Sequence, residues 1–286
     1  MLIIDGKKIA EEIKSDLKKQ IAKIGKKLKL AIVFIGDDKP TRRFIELKRK
    51  FAKEIGVETR VYNLSVDISV TKLRAEISKI CHIKENTGVI VQLPLPIAKN
   101  SQNVDAGKKQ IQYVLNGIIS KKDVDVLSSQ AIGNFVTGRS KILPPVVGAM
   151  KEIMDRSEVS AKGKNVVVIG TGMLVGKPVV SWFINQGATV SVLNKSTADI
   201  KQFTLNADII VTGAGQAKII TVGMVKDGVV IIDAGTSVEK GEEKSKLVGD
   251  VDPAVEEKAS VFTPVPGGVG PITVAMIFRN LLELAK

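Results

Sequence analysis

Lys48 is the residue whose position is hardest to explain as part of an ordinary solvated surface. A helix advances by about 100° per residue, and in residues 44–55 this places one set of apolar side chains on a single arc: Phe44, Leu47, Phe51, Ala52 and Ile55. Lys48 falls inside that arc, whereas the other charged residues fall on the opposite side, as an amphipathic helix requires. Burial would lower the pKa of its ammonium group toward neutral pH, which suits a proton-transfer role.

Three glycines indicate a dinucleotide-binding turn. The segment VVVIGTGMLVGKPVV predicts a strand, then Gly170, Gly172 and Gly176 in GxGxxxG spacing, then a helix. Glycines let the backbone turn tightly and approach a pyrophosphate, which the free N–H groups of the helix N-terminus bind. Inside a β-α-β unit, dinucleotide binding is favoured over a purely structural turn.

The end of the following strand bears on which dinucleotide is bound. A cofactor without a 2′-phosphate normally has its ribose hydroxyls bound by an Asp or Glu at this place. Here the strand ends in SVLNKST, with Asn194 and Lys195 and no acid. A cation there favours NADP over NAD.

Three further segments each have a functional and a structural interpretation. VQLPLP leaves Gln92 near the carboxyl end of a buried strand, where α/β proteins bind ligands, but a plain strand terminator explains it equally well. TPVPGGVGP, residues 263–271, favours close approach of backbone amides to a ligand, with a cis X-Pro bond, over an ordinary loop. KKDVDV supplies Asp123 and Asp125, for which a solvated or capping role is favoured on local sequence alone.

The elements that must position these residues alternate between helix and strand. In the first half, three segments are predicted strands that alternate with helices: LKLAIVFIG, VETRVYNL and TGVIVQLPL. A second series of predicted strands follows: NVVVIG, ATVSVL, ADIIVTG and GVVIIDAG. This order predicts an α/β fold with mostly parallel, buried sheets. We place one domain at residues 1–143 and a dinucleotide-binding domain at 144–270, with a final helix, 271–286, that completes the first.

Composition excludes several classes of protein. A chain of 286 residues with 44% hydrophobic content predicts a globular protein. Charge at the fifth residue argues against a signal peptide, and no run of 18 apolar residues is present to span a membrane, so a cytoplasmic protein is expected. The single Cys81 and single His82 argue against a disulfide framework and a metal site, and His82 is interpreted as a surface or interface residue.

A net charge of +13 raises the possibility of nucleic-acid binding. However, the basic residues are spread along the chain among 30 acidic ones, and one Trp and two Tyr offer little base stacking. A lysine-rich solvated surface is favoured, and Arg42, Arg43, Arg49 and Lys50 fit it. Neither nucleic acid nor membrane is an expected partner, although the positive electrostatic potential of such a surface would attract an acidic small substrate.

Seven segments, taken in order, resemble the bifunctional methylenetetrahydrofolate dehydrogenase/methenyltetrahydrofolate cyclohydrolase family: DGKKIA, the helix at 44–56, VQLPLP, KDVD, GTGMLVGKP, GDVD and TPVPGGVGPIT. The likeness covers essentially the whole chain, and the last segment is the most specific. It implies oxidation of 5,10-methylenetetrahydrofolate with NADP and hydrolysis of the methenyl product to 10-formyltetrahydrofolate. Both reactions would occur in a cleft between two α/β domains, the second of Rossmann type. The resemblance further implies a cytoplasmic homodimer that serves one-carbon metabolism and purine biosynthesis.

The resemblance also implies roles for individual residues. Lys48 matches the catalytic lysine, Gln92 the glutamine that hydrogen-bonds to it, and Asp125 the acid that grips the pterin ring. The substrate-binding matches are Phe44, Val91, Leu93, Pro266, Gly267, Gly268, Val269 and Gly270. The cofactor-binding matches are Gly170, Thr171, Gly172, Val175, Gly176, Lys195 and Thr236, with NADP expected and NAD as the alternative.

Three residues and one segment depart from the family pattern. Phe44 stands where tyrosine is usual, Val126 where glycine is usual, and Thr171 where arginine is usual, so Lys195 is the expected contact to the 2′-phosphate. The segment PPVV replaces Pro-Cys-Thr-Pro at the domain junction. Three alternatives stay open: a dehydrogenase with weak or no cyclohydrolase activity, a folate- or nucleotide-binding protein without catalysis, and a basic nucleic-acid binder.

Overall fold

The computed structural model describes residues 1–96, 104–240 and 245–286. The helices are α1 (Gly6–Ile24), α2 (Lys39–Glu54), α3 (Val70–His82), α4 (Val104–Leu115), α5 (Ser129–Val136), α6 (Pro145–Arg156), α7 (Gly176–Asn185), α8 (Lys201–Thr204) and α9 (Val269–Ala285). The strands are β1 (Leu2–Ile3), β2 (Lys29–Ile35), β3 (Glu58–Leu64), β4 (Gly88–Val91), β5 (Asn165–Ile169), β6 (Thr189–Leu193), β7 (Ile209–Thr212), β8 (Val229–Asp233), β9 (Ser237–Lys240), β10 (Ser245–Val248) and β11 (Ala259–Phe262).

One compact unit comprises residues 11–145 and 274–286. Its sheet has three parallel strands in the order β3-β2-β4. Consecutive residues of β2, from Leu30 to Val33, are fully buried although they point to alternate faces. Both faces of this strand are therefore covered, which is why its sequence is an unbroken apolar run rather than an alternating one.

The C-terminal helix α9 contributes to the core of this unit. The rings of Phe278 and Phe51 stack with centroids 5.0 Å apart. The buried Asn280 side-chain nitrogen Nδ2 donates to the backbone oxygens of Val124 at 2.8 Å and Leu143 at 2.7 Å. Because Val124 adjoins Asp125, this helix helps to fix the backbone on which that carboxylate stands.

The other compact unit comprises residues 1–10 and 146–273. Its six-stranded sheet is parallel throughout, in the order β1-β11-β8-β7-β5-β6, and β9 and β10 form a separate antiparallel pair. From β5 the chain passes to β6 on one side and then to β7 on the other. The strand order therefore reverses between β5 and β7, and this switch point is where open α/β sheets bind their ligands.

The mixed α/β fold with parallel sheets confirms the predicted fold class, but four strands were not predicted. These are β1, β9, β10 and β11, which have two to four residues each. Segments this short carry no usable alternation of apolar and polar residues. Leu2 and Ile3 pair with Val261 and Phe262 at the edge of the six-stranded sheet, and residues 1–10 belong to the same unit. The division into domains at 143/144 and 270/271 stays a prediction.

We predict that Asn280→Ala lowers the free energy of unfolding by about 2 kcal/mol, because two buried carbonyl oxygens lose their donor. The measurement is the shift of the urea midpoint. The control is Asn206→Ala at an exposed position, which should leave the midpoint within error. Equal shifts in the two variants would contradict the anchoring role of Asn280.

Candidate functional site

Helix α2 buries Lys48 within its apolar face. Only 9% of the Lys48 surface is exposed, and it lies among buried residues at helical spacing: Thr41, Ile45, Phe51, Ala52 and Ile55. The prediction that Lys48 lies on the buried face is confirmed. Asp38 caps the N-terminus of the helix, and its carboxylate accepts hydrogen bonds from the backbone nitrogen of Thr41 at 3.0 Å and from the Thr41 hydroxyl at 2.6 Å.

The prediction that Phe44 and Leu47 share this buried face is wrong. They are 55% and 49% exposed in the chain, while Ile45 is buried in their place. Leu47 lies at the edge of the arc, but Phe44 lies within it, one turn from the buried Thr41 and Lys48. The apolar period indicates which side of a helix faces the core, but not whether every side chain on that side is covered.

Gln92 holds the Lys48 ammonium group. It follows β4 directly, and its backbone nitrogen continues the sheet by donating to the Val33 carbonyl at 2.9 Å. Its side-chain Nε2 donates to the Leu93 carbonyl at 2.9 Å, which directs Oε1 to accept from Lys48 Nζ at 2.6 Å. The predicted pair of Lys48 and Gln92 is thus in hydrogen-bond contact, although the two residues are 44 positions apart.

Asp125 lies on a segment shaped by its neighbour Asp123. The fully buried Asp123 carboxylate accepts from the backbone nitrogens of Leu127 at 3.0 Å and Ser128 at 2.7 Å, which is a capping role. Val126, also buried, has φ of 59°, in the left-handed region that β-branched residues avoid. The backbone around Asp125 is therefore held in a strained conformation, a feature that clusters at functional sites.

The charges of Lys48 and Asp125 influence each other. Burial lowers the pKa of the Lys48 ammonium group, and the Asp125 carboxylate partly opposes this effect. Burial raises the pKa of Asp125 to about 6; Lys48 lowers it and Asp123 adds to the rise. Both groups therefore change protonation state nearer to neutral pH than free side chains do, as acid-base catalysis requires.

The remaining predicted residues near Gln92 differ in accessibility. Val91 is 1% exposed and lies at the end of β4, whereas Leu93 is half-buried and more accessible. The Leu93–Pro94 peptide bond is cis.

The glycine turn after β5 has the form that a pyrophosphate needs. A Cβ on Gly176 would lie 2.0 Å from the Gly170 carbonyl oxygen, so only glycine permits this approach of helix to strand. A Cβ on Gly172 would meet nothing within 4 Å, which leaves open space beside the turn. Val175 stands at the N-cap of α7 without a side-chain hydrogen bond, so no side chain at this position caps the amides of the first helical turn.

Two other predicted cofactor residues are exposed in the same unit. Lys195 follows β6 in a turn where the Asn194 side chain accepts from the Ser196 backbone nitrogen at 2.9 Å. Thr236 follows β8, with its carbonyl oxygen 3.9 Å from a Cβ built on Gly215. Thr171 is also exposed, on the glycine turn itself.

The proline-glycine loop lies in the unit of the dinucleotide turn. The Val265–Pro266 bond is cis, as the sequence predicted for an X-Pro bond in this loop. Pro266 and Gly270 are exposed, Gly267 is half-buried, and Gly268 and Val269 are buried.

Gly6 is a residue of this region that sequence analysis did not single out. A Cβ there would lie 1.7 Å from the Gly268 carbonyl oxygen, so the N-terminal segment abuts the loop at a distance that only glycine allows. The segment DGKKIA contained it, but nothing in the local sequence shows the distant contact.

The described ranges contain neither a cluster of metal-binding side chains nor a membrane-spanning helix. Within residues 1–96, 104–240 and 245–286, no group of three or more His, Cys, Asp or Glu side chains is arranged to hold a metal ion. No helix in those ranges has both the length and the apolar composition needed to cross a membrane.

We predict that Lys48→Met raises the pKa of Asp125 above about 6, because the cation that stabilises its ionised form is removed. Titration of the aspartate carboxyl carbons by NMR, assigned with Asp125→Asn, measures the change. Lys50→Met, an exposed lysine of the same helix, should leave the pKa of Asp125 where it was. A value in Lys48→Met equal to that of the wild type would refute the coupling.

Comparison with known proteins covers nearly the whole chain. Residues 4–125 match the family model of the tetrahydrofolate dehydrogenase/cyclohydrolase catalytic domain, and residues 144–286 match the NAD(P)-binding domain of the same family. The bifunctional protein FolD of Nautilia profundicola is 36% identical over 100% of this chain and 98% of its own length. FolD of Caldanaerobacter subterraneus is likewise 36% identical over 100% and 97%.

Solved structures agree with these matches. FolD of Campylobacter jejuni superposes with a TM-score of 0.90 at 34% identity, covering 100% of this chain and 98% of its own. The Trypanosoma brucei enzyme, solved with NADP and an inhibitor, gives a TM-score of 0.90 at 31% identity over 99% and 97%. The chain therefore belongs to the tetrahydrofolate dehydrogenase/cyclohydrolase family.

Proposed function

We propose that this protein oxidises 5,10-methylenetetrahydrofolate to the 5,10-methenyl form with NADP and hydrolyses that product to 10-formyltetrahydrofolate. The observation that carries the proposal is the buried Lys48, held by Gln92 at 2.6 Å, in a chain of this family. The dinucleotide turn in the other unit supports the first reaction.

The hydrolytic step needs a group that manages a proton near neutral pH. A water oxygen bonds to the methenyl carbon and the bond from that carbon to N5 breaks; of the two protons of the water, one is taken up by N5 and the other is released. Lys48 suits this task because burial lowers its pKa and so increases the neutral amine that accepts a proton. Gln92 fixes the position of Nζ, so the amine is oriented before the substrate arrives.

Asp125 and Phe44 are proposed to hold the folate. An ionised carboxylate accepts two hydrogen bonds and so suits the N–H donors of a pterin ring. The exposed ring of Phe44 lies on α2 one turn before Lys48 and offers a stacking surface for the aminobenzoyl group. The backbone of Val91, Leu93 and residues 266–270 completes the proposed set of substrate contacts.

The glycine turn fits a dinucleotide cofactor. The close approach at Gly170 and Gly176, the open space at Gly172 and the helix N-terminus at Val175 together form a pyrophosphate cradle. The dinucleotide, when bound, supplies the hydride acceptor, and the residues of the turn bind and orient it. Thr171, Lys195 and Thr236 are the proposed side-chain contacts, and Lys195 in place of an acid favours NADP.

A second function, a dehydrogenase with weak cyclohydrolase activity, is favoured by one observation. Phe44 lacks the hydroxyl that its usual counterpart places one turn from the lysine. Comparing the formation and decay of methenyltetrahydrofolate in one assay separates the two functions.

We further propose that the enzyme is a cytoplasmic homodimer that supplies one-carbon units for purine biosynthesis. Family membership is the support for this proposal. Sedimentation of the purified protein as a single 30.7 kDa chain would contradict the dimer.

We predict that Lys48→Met lowers the rate of methenyltetrahydrofolate hydrolysis by about 100-fold or more, because general acid-base catalysis contributes factors of that size. Methionine keeps the length and packing of the side chain but has no proton to exchange. The measurement is the decay of methenyltetrahydrofolate absorbance, corrected for the uncatalysed reaction. The control is Lys50→Met. A hydrolysis rate in Lys48→Met equal to that of the wild type would contradict the proton-transfer role of Lys48.

We predict that Lys195→Ala raises the KM for NADP about tenfold and leaves the KM for NAD nearly unchanged, since only NADP carries the phosphate that this cation contacts. Initial rates with the two cofactors measure the effect. Lys201→Ala, another exposed lysine of the same unit, serves as the control. A wild-type preference for NAD would show that Lys195 does not select the cofactor.

A further inference from the structure

The segment GDVD contains a buried carboxylate that the reactions above do not use. Asp250 is fully buried, and its side chain accepts three backbone hydrogen bonds from one loop. The Ala214 and Gly215 nitrogens donate to Oδ2 at 2.7 and 3.2 Å, and the Gln216 nitrogen donates to Oδ1 at 2.8 Å. One charged group thus fixes the three successive amides that follow β7.

This loop packs directly against the dinucleotide turn. A Cβ on Gly170 would lie 2.5 Å from the Gly213 carbonyl oxygen and 3.1 Å from the Ala214 nitrogen. A Cβ on Gly213 would lie 2.5 Å from Val175 Cγ1. The loop after β7 and the turn after β5 flank the switch point of the sheet and lie in close contact.

A second buried carboxylate locks Asp250 in place. Asp233, at the end of β8, accepts from the Thr212 hydroxyl at 2.8 Å and from the backbone nitrogens of Gly235 and Val251, each at 2.9 Å. The bond to Val251 holds the residue that follows Asp250. The two carboxylates thus brace neighbouring strand ends.

Each carboxylate also occupies space that a glycine leaves beside it. A Cβ on Gly235 would lie 2.0 Å from Asp250 Cγ, and a Cβ on Gly249 would lie 2.1 Å from Asp233 Oδ2. Any side chain at either glycine would push the neighbouring carboxylate away from the amides that it holds. The two glycines are therefore needed for the two carboxylates to occupy their positions.

We infer that Asp250 is a positioning residue that holds the dinucleotide-binding edge of the sheet in its binding conformation before the cofactor arrives. The inference rests on the proposed function and adds a residue that does not touch the substrate. A loop that is ordered before the cofactor binds loses no further conformational entropy in the binding step. Hydrogen bonds to a charged acceptor are also stronger than neutral ones, so the bracing is firm. Loss of the charge should weaken dinucleotide affinity and leave the chemical step intact.

The test is Asp250→Asn, which replaces one accepting oxygen by an amide NH2 and leaves at least one loop amide without its acceptor. We predict that the Kd for NADPH, measured by its fluorescence on binding, rises about tenfold. The KM for NADP should rise by a similar factor while kcat changes less than about threefold. Hydrolysis of added methenyltetrahydrofolate should be unchanged, because it needs no dinucleotide and because Lys48, Gln92 and Asp125 lie in the other unit.

Two further variants sharpen the test. Asp252→Asn alters the other acid of GDVD, which is half-buried and caps only the Ala254 nitrogen at 2.9 Å, and it should leave the Kd unchanged. Gly235→Ala removes no charge but places a Cβ against the Asp250 carboxylate, and it should weaken NADPH binding in the same direction.

Normal NADPH binding by Asp250→Asn would overturn this inference alone. Parallel loss of NADPH binding and of hydrolysis would also overturn it, because Asp250 would then be a general folding residue. A wild-type protein that does not bind NADPH would contradict the proposed function itself.

Discussion

Burial of parallel strands on both faces is the constraint on which the arrangement of this protein depends. Strands β2, β4, β7 and β8 are apolar and buried along nearly their whole length. Polar side chains and free amides can then be placed only at the strand ends. Gln92 follows β4, the glycine turn follows β5, and Asp233 ends β8.

Lys48 is the exception, because it stands on a helix and its charge is desolvated. The hydrogen bond to Gln92 and the negative charge of Asp125 stabilise its ammonium group. Burial lowers the pKa of Lys48 against the opposing effect of Asp125, and burial raises the pKa of Asp125 to about 6. Burial and the interaction between their charges thus bring the pKa values of both side chains closer to neutral pH, where they can exchange protons.

Buried carboxylates have two different roles in this chain. Asp123, Asp233 and Asp250 accept backbone amides and shape loops, and each is satisfied within its own unit. Within residues 1–96, 104–240 and 245–286, no backbone amide donates to the Asp125 carboxylate; burial raises its pKa, and the nearby Lys48 cation opposes that rise. Asp123 and Asp125 lie in KDVD, and Asp250 lies in the nearly identical segment GDVD. The local sequence therefore does not distinguish a structural aspartate from a candidate ligand; the surrounding residues do.

The sequence by itself determined the α/β class, the dinucleotide turn and the choice of Lys48. Apolar runs, glycine spacing and helical period are local properties, and they survive without knowledge of the rest of the chain. Only the tertiary structure decided that Phe44 and Leu47 are exposed, that Leu2 and Ile3 join the second sheet, and that Asp250 braces the loop after β7. These features depend on residues far apart in the chain, and a buried charge is identified only when the groups that desolvate and bind it are in place.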